Sequence, residues 1–94
     1  MWIVYILRCS DNTLYTGITN DIDRRVREHN ESKRGARYTR SRRPVRLEFF
    51  TKSESRSSAL KLEHAIKKLT RKEKERYISG DLCINDLRDR IING

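Results

Sequence analysis

The apolar segment at the start of the chain constrains the fold more than any other feature. Residues 2–9 (WIVYILRC) are rich in β-branched and aromatic side chains, which is typical of a buried strand. Turn-forming residues follow at 10–13, and residues 14–17 resume the strand pattern. The two segments therefore predict an antiparallel β-hairpin.

A helix, a loop and a third strand are predicted next. Asn20 can cap a helix that runs to about Asn30, with acidic residues in the first turn, where the helix dipole favours negative charge. Residues 32–46 interrupt the helical pattern and predict a loop, and residues 47–50 predict a strand.

The second half of the chain predicts helices. From about residue 53, apolar residues recur at helical spacing, at Ala59, Leu62, Ile66 and Leu69. Thr70 and Glu73 then form a capping box, which starts a new helix that ends near Ser79, with Gly80 behind it. Residues 81–94 indicate a short final helix, which we expect to pack as a tail on the same domain.

The composition favours a polyanionic partner. Lys and Arg number 22 against 13 Asp and Glu, which gives a formal net charge of +9 on 94 residues. Such an excess attracts nucleic acid or an anionic membrane. The chain lacks a membrane-spanning run, a signal-peptide pattern and a basic amphipathic helix with bulky apolar residues. We therefore expect one small cytoplasmic domain that binds nucleic acid and no membrane.

The cysteines do not indicate a metal site. Cys9 and Cys83 lie far apart, and together with His29 and His64 they do not show the close spacing of zinc ligands. We expect both cysteines to be reduced and no structural zinc.

Residues 32–46 form a strongly basic segment, with seven basic residues and no acidic one. We expect the segment to contact nucleic-acid phosphates through Lys33, Arg34, Arg37, Tyr38, Arg40, Arg42 and Arg43. Two alternatives stay open: Tyr38 could stack on an unpaired base of RNA, or the segment could be a solvated, mobile part of the surface.

Two polar residues fall on the inner side of the first predicted helix. Ile22 and Val26 mark that side, and at about 100° per residue Arg25 and His29 share it, whereas Arg24, Arg27 and Glu28 point away. This pattern favours a cleft. The alternative is that both side chains reach solvent from the rim of the helix.

A carboxylate and two tyrosines also occupy positions where the pattern predicts apolar core. Glu63 lies within the apolar arc of its helix, where an ionised carboxylate is rarely buried unless it is paired or binds a metal. A salt bridge to Arg25 and a divalent cation are the two interpretations. Tyr5 and Tyr15 lie on adjacent strands of the predicted hairpin, within reach of each other or as ordinary core residues.

Together these residues resemble the GIY-YIG nuclease superfamily, in particular its small stand-alone bacterial members. The first motif is similar to residues 4–6 (Val-Tyr-Ile), without the opening glycine, and the second to residues 15–17 (Tyr-Thr-Gly). Arg25, His29 and Glu63 follow in the family's order, so the resemblance covers roughly residues 2–80. Many members carry an Asn beyond the metal-binding Glu, and Asn85 is too distant to match it.

The resemblance implies a fold and a reaction. The fold is a small α/β (α+β) domain over residues 1–80, whose three-stranded antiparallel sheet is flanked by helices, with residues 81–94 as its helical tail. The reaction is metal-dependent hydrolysis of DNA phosphodiester bonds by an endonuclease.

The resemblance also implies roles for individual residues. Tyr5 and Tyr15 would lie beside the scissile phosphate, one of them assisting deprotonation of the attacking water. Arg25 would hold the phosphate, and His29 would assist proton transfer. Glu63 would be the sole protein ligand of Mg²⁺ or Mn²⁺.

The biological setting follows from the resemblance alone. It implies DNA repair or recombination near the bacterial nucleoid, with structure-selective or weakly sequence-specific cutting, and it leaves open a recruiting protein and the oligomeric state. The alternative function is a non-catalytic DNA- or RNA-binding module.

Overall fold

A computed structural model describes the backbone of residues 1–93 and the side chains of residues 1–91. Gly94, the last residue of the predicted tail, lies outside this part of the chain.

One antiparallel sheet forms the centre of the fold. Its strands are β1 (Trp2–Arg8), β2 (Leu14–Thr19) and β3 (Arg46–Ser53), in the order β2-β1-β3. The predicted hairpin and third strand are confirmed. β3 is longer than predicted because its pairing with β1 continues on both sides of a bulge between Ile6 and Leu7, and a bulge interrupts the alternation by which strands are recognised in a sequence.

Helices pack on both faces of the sheet. Within the described residues they are α1 (Ile22–Glu31), α2 (Arg37–Arg40), α3 (Arg56–Lys67), α4 (Arg71–Ser79) and α5 (Ile84–Asn93). The predicted capping box of Thr70 and Glu73 is confirmed, and so is the end of α4 at Gly80, whose φ of 88° is left-handed. The α+β architecture predicted for the chain is therefore confirmed.

Three local predictions are wrong. α3 begins at Arg56, capped by Ser55, rather than near residue 53, because Ser53 still pairs with Trp2 of β1. The cap of α1 is Asp21 rather than Asn20, because the Asp21 carboxylate accepts the backbone N–H of Arg24 at 3.1 Å. Residues 32–46 are not all loop either, since α2 forms one helical turn inside them. That turn has no side-chain cap, so the sequence carries no start signal for it.

Each face of β1 contributes to a separate core. Val4 and Ile6 pack into a core formed with α3, α4 and α5, whose buried members are Ala59, Leu62, Ile66, Tyr77 and Leu87. Tyr5 and Leu7 point to the opposite face, towards Cys9, Val45 and the half-buried Ile22 and Val26 of α1. Because both faces are covered, β1 is apolar or aromatic from Trp2 to Leu7 rather than alternating.

α5 belongs to the first core. Leu87 is buried there, and Leu82, Ile84 and Ile91 pack against it. The division between residues 1–80 and the tail stays a prediction, since the packing is continuous across it. None of the described helices is both long and apolar enough to cross a membrane.

Arg8 connects the sheet to α4. Its guanidinium donates to Glu48 at 3.0 Å and to both carboxylate oxygens of Glu75 at 2.5 and 3.0 Å. The pKa of Glu75 is below its usual value mainly because of these bonds, and hydrogen bonds from Arg46 and Arg8 lower that of Glu48. Arg8 is therefore engaged in structure and is not part of the free positive surface.

Candidate active site

Tyr5 lies at the centre of the candidate site. It occupies the middle of β1, is fully buried, and points to the face of the sheet that α1 covers. Gly17 lies opposite it on β2. A Cβ at residue 17 would lie 2.5 Å from the Tyr5 hydroxyl oxygen, so only glycine leaves room for the phenol in this position.

Tyr15 lies diagonally across from Tyr5. Because Tyr5 faces Gly17 and Leu7 faces Tyr15 in the register, both tyrosines lie on the same face of the sheet. Their ring centroids are 6.5 Å apart, and Tyr15 is half-buried. The structure thus brings together the two tyrosines that the sequence placed on adjacent strands.

His29 is the only described histidine in the core. It reaches inward from α1, fully buried, and its Nε2 lies 2.8 Å from the Tyr5 hydroxyl oxygen. Its ring also packs edge-on against Tyr15 at 5.3 Å. The interpretation that His29 reaches solvent from the rim of the helix is wrong.

The tautomer of His29 follows from its second nitrogen. The backbone N–H of Ala36 can only donate, and it lies 3.2 Å from Nδ1. Nδ1 is therefore an acceptor, and the proton of the neutral ring resides on Nε2. The Thr39 hydroxyl lies 2.8 Å from the Ala36 carbonyl oxygen and 3.1 Å from the same Nδ1, and by rotating it can donate its one proton to either acceptor. His29 consequently donates its Nε2–H to the oxygen of Tyr5.

The environment keeps this ring neutral. Burial lowers the pKa of His29 to about 4, and the positive charges of Arg25 and Arg43 act in the same direction. At neutral pH both ring nitrogens hold fixed roles, one as donor and one as acceptor.

The same burial makes Tyr5 a weaker acid. Burial raises the pKa of Tyr5 to about 12, and the neighbouring Tyr15 and Glu63 also raise it, whereas Arg25 lowers it in part. Tyr5 is therefore a neutral phenol at rest, with Arg25 as the nearby positive charge.

Arg25 is half-buried and has two partners. It donates to the Glu28 carboxylate at 3.3 Å and to the backbone oxygen of Arg34 at 2.7 Å. The prediction that Glu28 points away is wrong, because this pairing holds the carboxylate against the protein with 18% of its side chain exposed. The suggested salt bridge between Arg25 and Glu63 is also absent.

Glu63 belongs to α3, which packs on the face of the sheet opposite to Tyr5. Its side chain is 17% exposed, and its nearest cation is Lys67 at 3.5 Å, one turn along the same helix. Within the described residues its carboxylate accepts no hydrogen bond, and no three His, Cys, Asp or Glu side chains cluster as metal ligands. This arrangement fits Mg²⁺, which often takes one or two carboxylates and several waters, better than a multi-ligand cation.

The basic segment divides into structural and free side chains. Arg43 caps the end of α1 by donating to the backbone oxygens of His29 and Ser32, both at 2.5 Å. Arg42 binds Asp11 at 3.0 Å. Arg40 donates to the backbone oxygen of Lys33 at 2.5 Å. The charged groups of Lys33, Arg34 and Arg37 are exposed and form no salt bridge with described residues.

Tyr38 extends the aromatic cluster towards solvent. Its ring stacks on that of Tyr15 with centroids 5.9 Å apart, and the Arg42 guanidinium lies 4.0 Å from its centre. Tyr38 is thus engaged within the protein.

Four contributors were not identified from the sequence. The backbone N–H of Ala36 sets the tautomer of His29, Thr39 is the second neighbour of the same ring nitrogen, and Gly17 makes room for Tyr5. Gly35 passes so close to α1 that a Cβ there would lie 2.5 Å from the Glu28 carbonyl oxygen. Gly17 appeared in the sequence only as the end of the Tyr-Thr-Gly motif, and the signal for Gly35 was an isolated glycine within the basic segment.

Comparison with known proteins identifies this arrangement. A family model described as the GIY-YIG catalytic domain matches residues 1–77. The chain belongs to the GIY-YIG family. Its resemblance to that family is confirmed by the match, and the domain is of the nuclease type, in a family whose members generally depend on divalent metals.

Several GIY-YIG relatives are similar over most of their length. A UPF0213 protein of Desulfotalea psychrophila is 54% identical over 79 residues, which cover 84% of this chain and 72% of that protein. A UPF0213 protein of Haloquadratum walsbyi is 51% identical over a segment that covers 87% of this chain and 91% of that protein. The solution NMR structure of a UPF0213 protein from Bacillus halodurans has 44% identity and a TM-score of 0.54, covering 84% of each chain. This GIY-YIG chain therefore shares its fold with a small single-domain branch whose names state no substrate.

Proposed function

We propose that this GIY-YIG chain is a DNA endonuclease that hydrolyses phosphodiester bonds with a divalent metal. One observation carries the proposal. The Tyr5 oxygen accepts the Nε2–H of His29, and the Tyr5 proton has no acceptor among the described residues. A buried hydroxyl normally has a partner for its proton, so this proton is available to an oxygen of a bound phosphate.

His29 acts in this proposal as a positioning residue. Its ring is neutral, fully buried and hydrogen-bonded at both nitrogens. It therefore holds the Tyr5 phenol in one orientation rather than exchanging protons with the substrate.

Tyr5 needs a positive charge before it can act as a base. With a pKa of about 12, its ionisation at pH 7 costs about 7 kcal/mol. As a neutral phenol it can donate its proton in a hydrogen bond to a bound phosphate oxygen. It can take a proton from the attacking water only after it has released its own proton to solvent, which requires cationic charge beside it to lower its pKa. Tyr15, half-buried on the same face, is the second candidate for this role.

Arg25 supplies the clamp on the phosphate. Its guanidinium is half-buried beside Tyr5 and is held by Glu28 and the backbone of residue 34. A pre-oriented guanidinium can bind two phosphate oxygens and stabilise the charge that develops on them.

Glu63 is the proposed ligand of Mg²⁺ or Mn²⁺. Its carboxylate is shielded, and its one ion-pair partner within the described residues is the exposed Lys67 at 3.5 Å, an (i, i+4) contact that a divalent cation could replace. When bound, such a cation would lower the pKa of a water molecule and neutralise charge on the phosphate.

DNA is the proposed substrate, held through its phosphates. Lys33, Arg34 and Arg37 are exposed beside the site, and the net charge is +9. Binding should then weaken with salt at a log–log slope of about −0.9 per phosphate contact, with little sequence specificity. A role in repair or recombination at the bacterial nucleoid, with or without a recruiting protein, belongs to the same proposal.

Nicking of supercoiled plasmid and branched DNA tests the proposal. We expect cleavage only with Mg²⁺ or Mn²⁺, and a loss of at least about 100-fold in both Glu63→Gln and Arg25→Ala. Asp89→Asn, which removes an exposed carboxylate on α5, is the matched control and should cut normally. All variants should still bind DNA.

Two results would contradict the assignment. Normal cutting by Glu63→Gln would remove Glu63 as the metal ligand. A wild-type protein that binds DNA or RNA without cutting either would indicate the non-catalytic binding module, and competition between labelled DNA and RNA would then identify its ligand.

A further inference from the structure

Phe50 is an exposed aromatic residue on the edge strand of the sheet. It lies on β3, and 51% of its surface is exposed. Its neighbour Phe49 points to the opposite face, where it packs against the first core. Phe50 belongs to neither core, so the packing of the described residues gives no reason for an aromatic side chain there.

The position of Phe50 relates it to the candidate site. Phe50 is the direct partner of Tyr5 in the pairing of β3 with β1. Directly opposite residues share a face of the sheet and have Cβ atoms about 5 Å apart. Phe50 therefore lies beside Tyr5, on the side away from β2, where α1 does not cover it.

Its surroundings are suited to a nucleic acid. On the same face, the exposed Lys52 pairs with Ile3, next to the pair formed by Phe50 and Tyr5. The one acidic residue of β3, Glu48, is held by Arg8 and Arg46 at 3.0 and 2.8 Å. Because Glu48 is paired, the unpaired charge on β3, within the described residues, is the positive charge of Lys52.

Phe50 also differs from the other exposed aromatic residue. Tyr38, at 38% exposure, is engaged by Tyr15 and Arg42. Phe50 forms no aromatic pair and no cation–π contact with any described residue. Its ring is the free aromatic surface beside Tyr5.

We propose that Phe50 stacks on an unpaired nucleobase next to the scissile phosphate, so that the protein prefers DNA with single-stranded or unpaired bases. The proposal rests on DNA being the substrate of the same site. A base in an intact duplex cannot offer its face to Phe50, because both faces are stacked on its neighbours. Stacking on an aromatic side chain is tolerant of sequence, since every base has such a face.

Binding without metal tests the stacking independently of cleavage. Fluorescence anisotropy would compare a labelled oligothymidine with a duplex of equal length at one salt concentration. Phe50→Ala should weaken single-strand binding by about five- to 150-fold and leave duplex binding nearly unchanged. Phe50→Leu, which keeps an apolar side chain without the ring, should lose the same affinity, and Phe50→Tyr should retain it.

The outcomes separate the competing explanations. Equal losses on both DNAs, or full affinity in Phe50→Leu, would overturn stacking. A wild-type dimer that becomes monomeric in Phe50→Ala would show instead that a second copy covers this surface. Cleavage failure in the wild type, with the Phe50 pattern intact, would count against the nuclease and not against the stacking site.

Discussion

Lowering the pH from 7 to 5 should destabilise the folded protein through His29. The unfolded chain binds a proton on this ring at an ordinary pKa of 6.5, whereas burial lowers the pKa in the folded state to about 4. Between these values the unfolded state binds more protons, so stability falls as the pH falls. With both values, the free energy of unfolding should drop by about 2 kcal/mol between pH 7 and pH 5, and by about 3 kcal/mol at pH 4.

Above pH 5, the change in stability with pH comes mainly from His29 and not from the carboxyl groups. The carboxyl groups with lowered pKa, such as Glu48 and Glu75, have an ordinary value of 4.5 and lose their stabilising effect mainly below pH 5. Urea unfolding followed by circular dichroism at a series of pH values would measure the slope. His29→Gln should flatten the slope above pH 5, whereas His64→Gln, at an exposed histidine on α3, should keep it.

NMR provides a direct check on the same reasoning. His29 should titrate near pH 4, with its proton on Nε2 at neutral pH. An unchanged slope in His29→Gln, or an Nδ1–H tautomer in the wild type, would refute the account of how the ring is held.

Two further contrasts test the site and its support. Gly17→Ala should displace the Tyr5 phenol, because the new Cβ would lie 2.5 Å from its oxygen, and should slow cleavage about 100-fold. Gly80→Ala, at a φ of 88° with open space around it, should cost about 1 kcal/mol of stability and leave cleavage intact. Normal cleavage by Gly17→Ala together with slow cleavage by Gly80→Ala would contradict the close contact between residue 17 and Tyr5. Arg43→Ala should lower the free energy of unfolding by about 2 kcal/mol, as the caps of α1 are lost. Arg37→Ala should instead preserve stability and reduce the salt slope of DNA binding by about one contact. An equal drop in the free energy of unfolding in both variants would contradict the division of the basic segment into structural and free side chains.

Much of the fold follows from local signals in the sequence. The β-branched run of β1, the turn after it and the capping box at Thr70 each specify their element within a few residues. Alternation alone puts Tyr5 and Leu7 on one face of β1, but the register that places Tyr15 on that same face was known only from the structure. The order of these residues along the chain was sufficient to identify the family, which the family model confirms.

Tertiary structure decided what surrounds each of those side chains. Helical periodicity turns Arg25 and His29 inward, but only the approach of residues 35–39 seals His29 in the core and fixes its tautomer. By composition alone, all the basic side chains of residues 32–46 look equivalent. In the structure, backbone carbonyls at the end of α1 bind Arg43, whereas Arg37 stays exposed. These outcomes depend on contacts between residues distant in sequence, whereas propensity and spacing describe only neighbours along the chain.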